Sequence, residues 1–335
     1  MQWLICFGLF AGTIALGILP PLLSNAGVDI ATQDAANIVQ VQQRLSHHLL
    51  FQNFPALHVG RFAFLIAVWL LITRTVFISR KFQRLAWFCN GSLVVSLAGV
   101  MLSGLIDMPN FLGRFSNAML RFYWFRFSDF AIPLGLSLVG IKLFRTLFRS
   151  KLRSQRLTAW FSSGLFALAM ILVVAQSHTD PRAEADKAIL PTYIDQPLRT
   201  FQSYENWRKV CFWVMNNTRS DSVFVTPMQQ QTFKWYAHRA EFACWKDMPQ
   251  DARSLMDWSQ RISILRGMQQ IPGGPLGLSD EQVEQLVGEY GVTHLLVLQG
   301  YEDFIGEPVS EKLTRIYPTD EESRSTYVVY RINGQ

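Results

Sequence analysis

The chain has 335 residues, 50% of them hydrophobic and only 17% charged, against roughly 25% charged in an ordinary soluble domain. This balance excludes a disordered chain, and the net charge of +6 is concentrated in short loops rather than in a basic stripe, so no nucleic acid is expected as a partner. The apolar excess lies in residues 1–178. A linker at 179–200 carries Pro181, Pro191 and Pro197, and residues 201–335 read as a globular domain of mixed charge.

Five runs, at 2–23, 59–79, 85–106, 128–148 and 157–177, approach the ~20 residues that a helix needs to cross ~30 Å of hydrocarbon. The expected architecture is therefore an α-helical transmembrane bundle of about five spans followed by a three-layer α/β domain. The first run ends near Ser24, Asn25 and Ala26, small residues that would suit a signal peptidase. Its length and its lack of a leading Lys or Arg favour an anchor instead. The fourth run opens with Asp129 and contains Pro133, so its start is expected to be broken or shifted.

Orientation follows from Lys and Arg in the short connections. Arg74, Arg80, Lys81 and Arg84 flank spans two and three, and Lys142, Arg145, Arg149, Lys151, Arg153 and Arg156 flank spans four and five. The other two connections, 24–58 and 107–127, hold Arg44, Arg114, Arg121 and Arg126. Ten against four places the basic turns in the cytoplasm. Residues 24–58, residues 107–127 and the α/β domain are then extracytoplasmic, in a multi-pass cell-membrane protein.

Within 24–58, the segment QVQQRLSHHLLFQNF sets Arg44, His47 and His48 just ahead of a span. Adjacent helical histidines point ~100° apart, and no HExxH or paired-cysteine spacing accompanies them, so no metal and no cofactor is expected. Arg44 and a histidine at i+3 or i+4 share one helix face and could contact a phosphate at the membrane surface. Anchoring at the headgroup boundary is the alternative. Asp29 and Asp34 lie on the same connection, and carboxylates near cations are the parts that activate an acceptor and neutralise a phosphate leaving group. In RFYWFRFSD (121–129), aromatics and arginines suit an interfacial belt, while Arg126 and Asp129 could pair in a polar cavity.

The α/β domain opens with a helical stripe of Trp207, Val210, Cys211 and Val214. Strands are expected at SVFVT (222–226), AEFACW, THLLVLQ and STYVVYRI, the last as an edge. Helices are expected at TFKWYAHR, at DARSLMDWSQRISILRGM and at LSDEQVEQLVGEYG, where Ser279 and Gln282 form a capping box and Gly291 a stop. The glycines of IPGGPLG follow no strand and open no helix, which leaves a plain turn rather than a phosphate cradle. Trp245, Lys246 and Asp247 leave a strand at its carboxyl end, where open α/β sheets bind ligands; structural closure, with MPQDA as an ordinary helix entry that Asp251 favours, is the alternative. Cys211 and Cys244 could form a disulfide or remain buried thiols.

The motifs RLSHHL, FYWFRFSDFAIPLG, WVMNNTRSDSVFVTP, FKWYAHR and WKDMPQDA, with the ending GVTHLLVL and YVVYRI, resemble the C-terminal half of an uncharacterised bacterial group of GT-C type integral-membrane glycosyltransferases. The resemblance implies a polyprenyl-phosphate sugar donor, with Asp29 or Asp34 as base and Arg44, His47 and His48 near the lipid phosphate. Such enzymes have about twice as many spans, which implies a second polytopic subunit or a relative without catalysis. An envelope protein whose α/β domain binds a protein partner is the other expectation.

Overall fold

The computed structural model describes residues 25–75, 80–109, 111–149, 201–318 and 325–334, with isolated positions within 12–23 and 151–175. Apart from those positions, the expected spans at 2–23 and 157–177 and the linker lie outside the described residues. The chain divides into two compact units, one of residues up to 171 with Asp251–Met256, the other of the remainder.

In the first unit the expected loop at 24–58 is helical: α1 (Ile30–Ile38), a π-helical turn (Val39–Arg44), α2 (Ser46–Leu49) and a 3-10 turn (Phe51–Asn53). The expected spans two and three are α3 (Ala56–Thr75) and α4 (Arg80–Gly104). The connection at 107–127 contains α5 (Phe111–Leu120), and the run expected as the fourth span forms helix α6 (Arg126–Phe148). The expected break in α6 does not occur. Pro133 lies inside a continuous helix, and its carbonyl accepts a hydrogen bond from the Ser137 hydroxyl at 2.8 Å, which offsets part of the missing ladder.

Gly135 on α6 lets the helices approach closely, because a Cβ there would lie 2.6 Å from Cys89 Sγ and 2.8 Å from the Trp69 ring. Trp69 is buried and donates its indole N–H to Asn90 Oδ1 at 3.0 Å. Among the described residues, two helices are long and apolar enough to cross a membrane, Ala56–Thr73 and Phe82–Gly104, and only 6% and 33% of these windows are buried. A core helix of a soluble protein would hide such residues. Here Phe64, Leu71, Trp87 and Met101 face outward, an apolar surface suited to lipid.

The second unit holds a five-stranded sheet: β1 (Val223–Val225), β2 (Ala240–Glu241), β3 (His294–Leu298), β4 (Leu313–Tyr317) and β5 (Tyr327–Ile332), in the order β2-β1-β3-β5-β4. Its helices are α7 (Phe201–Asn217), α8 (Phe233–Ala237), α9 (Ala252–Gln270) from Asp257 onwards, α10 (Asp280–Tyr290) and α11 (Gln299–Ile305). Strands β1, β2 and β3 run parallel, while β5 is antiparallel to β3 and β4. The sheet is thus mixed. The expected strand AEFACW shortens to two residues, and STYVVYRI is an interior strand rather than an edge. The edge is β4, which the sequence did not announce.

Tyrosine explains the misplaced edge. Tyr327 and Tyr330 of β5 are buried because Tyr327 accepts from Gln230 Nε2 at 3.0 Å and Tyr330 donates to Glu302 at 2.6 Å. Residues that read as polar alternation are core residues with satisfied hydroxyls. The stripe of α7 forms as expected, with Trp207, Val210, Cys211 and Val214 packed among Phe224, Leu296 and Val329. Successive residues His294–Val297 of β3 are all buried, so both sheet faces are covered. Arg239 closes the C-terminal end of α7, donating to the carbonyls of Met215 and Thr218 that the helix leaves without partners.

The capping box of Ser279 and Gln282 and the left-handed Gly291 are present on α10. Gly273 and Gly274 have φ of +80° and +60°, and a Cβ on Gly274 would lie 2.5 Å from the Tyr301 ring. Gly274→Ala is expected to lower stability by about 1–3 kcal/mol through backbone strain and overpacking. Gly288→Ala, on helix α10 with open space around its Cβ, should instead gain up to about 1 kcal/mol. Thermal denaturation of the two variants against the parent chain measures both.

Candidate functional site

The helical unit gathers cationic side chains from two distant segments. After the π-helical turn, Leu45 leaves helical geometry at φ −119° and ψ 18°, and the chain re-enters a helix at Ser46. The i+3 face expected for Arg44 and a histidine is therefore not that of one helix. His48 nevertheless lies within electrostatic reach of His47, Arg126 and Arg44. Burial first, and then these positive charges, hold its pKa below the ordinary 6.5.

The rings of His47 and His48 sit with centroids 4.1 Å apart, closer than ideal helical angles suggest. The Arg126 guanidinium lies over the Tyr123 ring at 4.5 Å, and Tyr123 itself occupies the left-handed region at φ 54°, an uncommon conformation that turns the chain from α5 into α6. Asp129 lies within electrostatic reach of Arg126. The structure thus brings Arg44, His47, His48, Arg126 and Asp129 into one neighbourhood.

The two carboxylates proposed for catalysis have structural partners. Asp29 is the N-cap of α1, accepting from the Thr32 N–H at 2.8 Å and the Thr32 hydroxyl at 2.7 Å. These bonds hold its pKa below the usual carboxylate range. Asp34 accepts an ion pair from Arg114 Nε at 3.2 Å.

The α/β unit carries a second polar group at the carboxyl edge of its parallel strands. Thr226 follows β1, and its hydroxyl donates to Oε1 of Glu241, the last residue of β2. The other oxygen, Oε2, is buried with no hydrogen-bond partner. Burial raises the Glu241 pKa to about 8, against the favourable pull of Thr226 and Lys234. Donor atoms of Glu241, Cys244 and Asp247 lie within 4.8 Å of one another. They are the metal-competent group among the described residues, but Lys234 already binds Asp247 at 2.5 Å and supplies positive charge within the protein.

Cys211 and Cys244 are free, buried thiols. Burial pushes the Cys244 pKa up to about 12, so it is not a nucleophile at neutral pH. Of the expected trio, Asp247 belongs to this group. Trp245 stands beside it, with its ring 5.6 Å from that of Trp258 and under the Arg266 guanidinium at 4.6 Å; Lys246 is exposed. The sequence reading passed over Glu241, Thr226 and Lys234, because an acid inside AEFACW reads as the polar member of an alternating strand.

Glu241 gives the α/β unit a definite pH response. Its folded pKa of about 8 exceeds the ordinary 4.5, so the native state binds more protons between these values. Its contribution to stability is full below pH 4.5 and is lost as pH rises through 8. Glu241→Gln should flatten that decline, by at most about 1.4 kcal/mol per pH unit, in chemical denaturation followed from pH 5 to 9. Among known proteins, a family profile described as a Domain of unknown function (DUF6798) matches residues 205–265, a stretch that contains Thr226, Lys234, Glu241, Cys244 and Asp247. No curated protein matches the chain.

Proposed function

We propose that this is a multi-pass membrane protein whose helical unit binds the phosphate of a lipid-linked ligand where Arg44, His47, His48 and Arg126 meet. The carrying observation is their convergence from two segments separated by two long helices. Like charges gathered in one place repel each other, and an anion relieves that repulsion while accepting charge-assisted hydrogen bonds. A polyprenyl-phosphate-linked sugar is the ligand that the likeness to GT-C type glycosyltransferases implies. The distribution of basic turns supports about five spans, with this neighbourhood and the α/β domain on the extracytoplasmic side.

Asp29 and Asp34 would have to release a helix cap and an ion pair before acting as bases. Their engagement favours binding without transfer by these carboxylates. It equally favours the reading in which the chain serves a second polytopic subunit or another protein partner of the α/β domain.

The test uses the full chain in nanodiscs and titrates a polyprenyl phosphate. Arg44→Ala and Arg126→Ala are each expected to weaken binding about tenfold, or about 1.4 kcal/mol. Because His48 is held below pH 6.5 in the free protein and an anion favours its charged form, binding takes up a proton. Affinity should rise as pH falls from 7.5 to 5.5, and His48→Asn should remove that slope. Equal affinity in the Arg44→Ala/Arg126→Ala double variant would remove the proposed site.

A further inference from the structure

The sheet order contains one place where the chain's connections diverge. From β1 the chain passes through α8 to β2 on one side, whereas β3, reached after α9 and α10, pairs with the opposite side of β1. Open parallel sheets bind ligands in the crevice beyond the carboxyl ends of the strands at such a divergence. A cavity of about 250 Å³ lies there, lined by the residues that end β1 and β3 and by the last turns of α9.

The lining is graded. Val225, Leu265, Met268 and Leu296 are buried, and they make the interior of the cavity apolar. Of the polar lining residues, Gln229 and Tyr301 are half-buried and Gln269 is exposed, while Thr226 is buried with its hydroxyl donated to Glu241. None of the lining residues is Lys, Arg, Asp or Glu. A charged ligand would therefore lose its hydration without gaining a counter-charge, which separates this cavity from the phosphate chemistry of the helical unit.

One wall of the cavity packs directly against a glycine turn. Tyr301 of α11 approaches the IPGGPLG turn so closely that a side chain on Gly274 would collide with its ring, as one on Gly273 would with Ile305. The turn is pinned from its other end by the Val309 N–H donating to the Leu276 carbonyl at 2.9 Å. Two glycines that look like an ordinary turn thus fix the position of a cavity wall.

We infer that this cavity binds a small, uncharged, mainly apolar molecule that carries one hydrogen-bonding group. A dry cavity of about 150 Å³ accommodates benzene, so the larger volume here suits a substituted or fused aromatic ring of roughly ten non-hydrogen atoms. The ring occupies the space among Val225, Leu265, Met268 and Leu296. Its polar group meets Gln229, Gln269 or Tyr301 at the mouth.

The experiment titrates 5-fluoroindole into the full chain in nanodiscs, with protein-free nanodiscs as the baseline, and follows the fluorine resonance by NMR. Saturable binding in a one-to-one ratio is expected. Gln269→Trp, which adds bulk at an exposed rim position, should weaken it at least tenfold without changing the melting temperature, and Leu265→Phe should do the same from inside. Indole-5-carboxylate, which adds a charge to the same ring, should bind at least tenfold more weakly than the neutral probe. Absence of saturable binding at millimolar probe overturns the inference, as does equal affinity in the parent chain and Gln269→Trp. Polyprenyl phosphate binding in the same nanodiscs reads the other site independently.

Discussion

The helical unit depends on polar bridges between two connections that the sequence presents as separate loops. Arg121 Nη1 donates to Asn37 Oδ1 at 2.9 Å, Arg114 pairs with Asp34 at 3.2 Å, and Gln42 Nε2 donates to Asn117 Oδ1 at 3.1 Å. Together they join α1 and its π-helical extension to α5. The three are unequal. Arg114 is largely exposed, and such a pair contributes about 0–1 kcal/mol. Arg121 is desolvated enough that burial lowers its pKa, so its charge-assisted bond to Asn37 falls in the range of about 1.5–3 kcal/mol. It is the strongest of the three links between the two connections.

In the α/β unit the corresponding constraint is the change from parallel to antiparallel pairing at β3. On its β1 side the sheet ends in exits suited to ligands. On its β5 side it gains core volume from Tyr327 and Tyr330, whose hydroxyls are spent on Gln230 and Glu302. The carboxyl edge holds Glu241, whose pKa of about 8 leaves it mostly uncharged at neutral pH, so a buried oxygen without a partner is tolerated there. Beside it, Lys234 forms an ion pair with Asp247. The group is thus close to electrically balanced by its own side chains.

Much of this was legible in the residues. Ser279, Gln282 and Gly291 mark both ends of α10 because capping chemistry is local, and the stripe from Trp207 to Val214 marks the face of α7 that meets the sheet. Arg44, His47, His48 and Arg126 were visible as candidates. Their proximity was not, since residues far apart in sequence come together there and no local pattern signals it. The helices within 24–58 were hidden for another reason: Asp29 and Thr32 read as loop residues, yet their hydrogen bonds are the cap that starts α1. The edge strand β4 was missed because its side chains, apart from Leu313, are exposed or half-buried, leaving almost no apolar period to detect.

The same physics separates the two binding chemistries. Around residues 44–48 and 126 the carboxylates are engaged: Asp29 caps α1 through Thr32, Asp34 pairs with Arg114, and Asp129 lies within electrostatic reach of Arg126. In the α/β unit the lining of the β1–β3 cavity contains no charge and the nearby ionisable side chains satisfy one another at the β2 end. Capping and ion pairing thus engage Asp29 and Asp34 in the helical unit and Asp247 with Lys234 in the α/β unit.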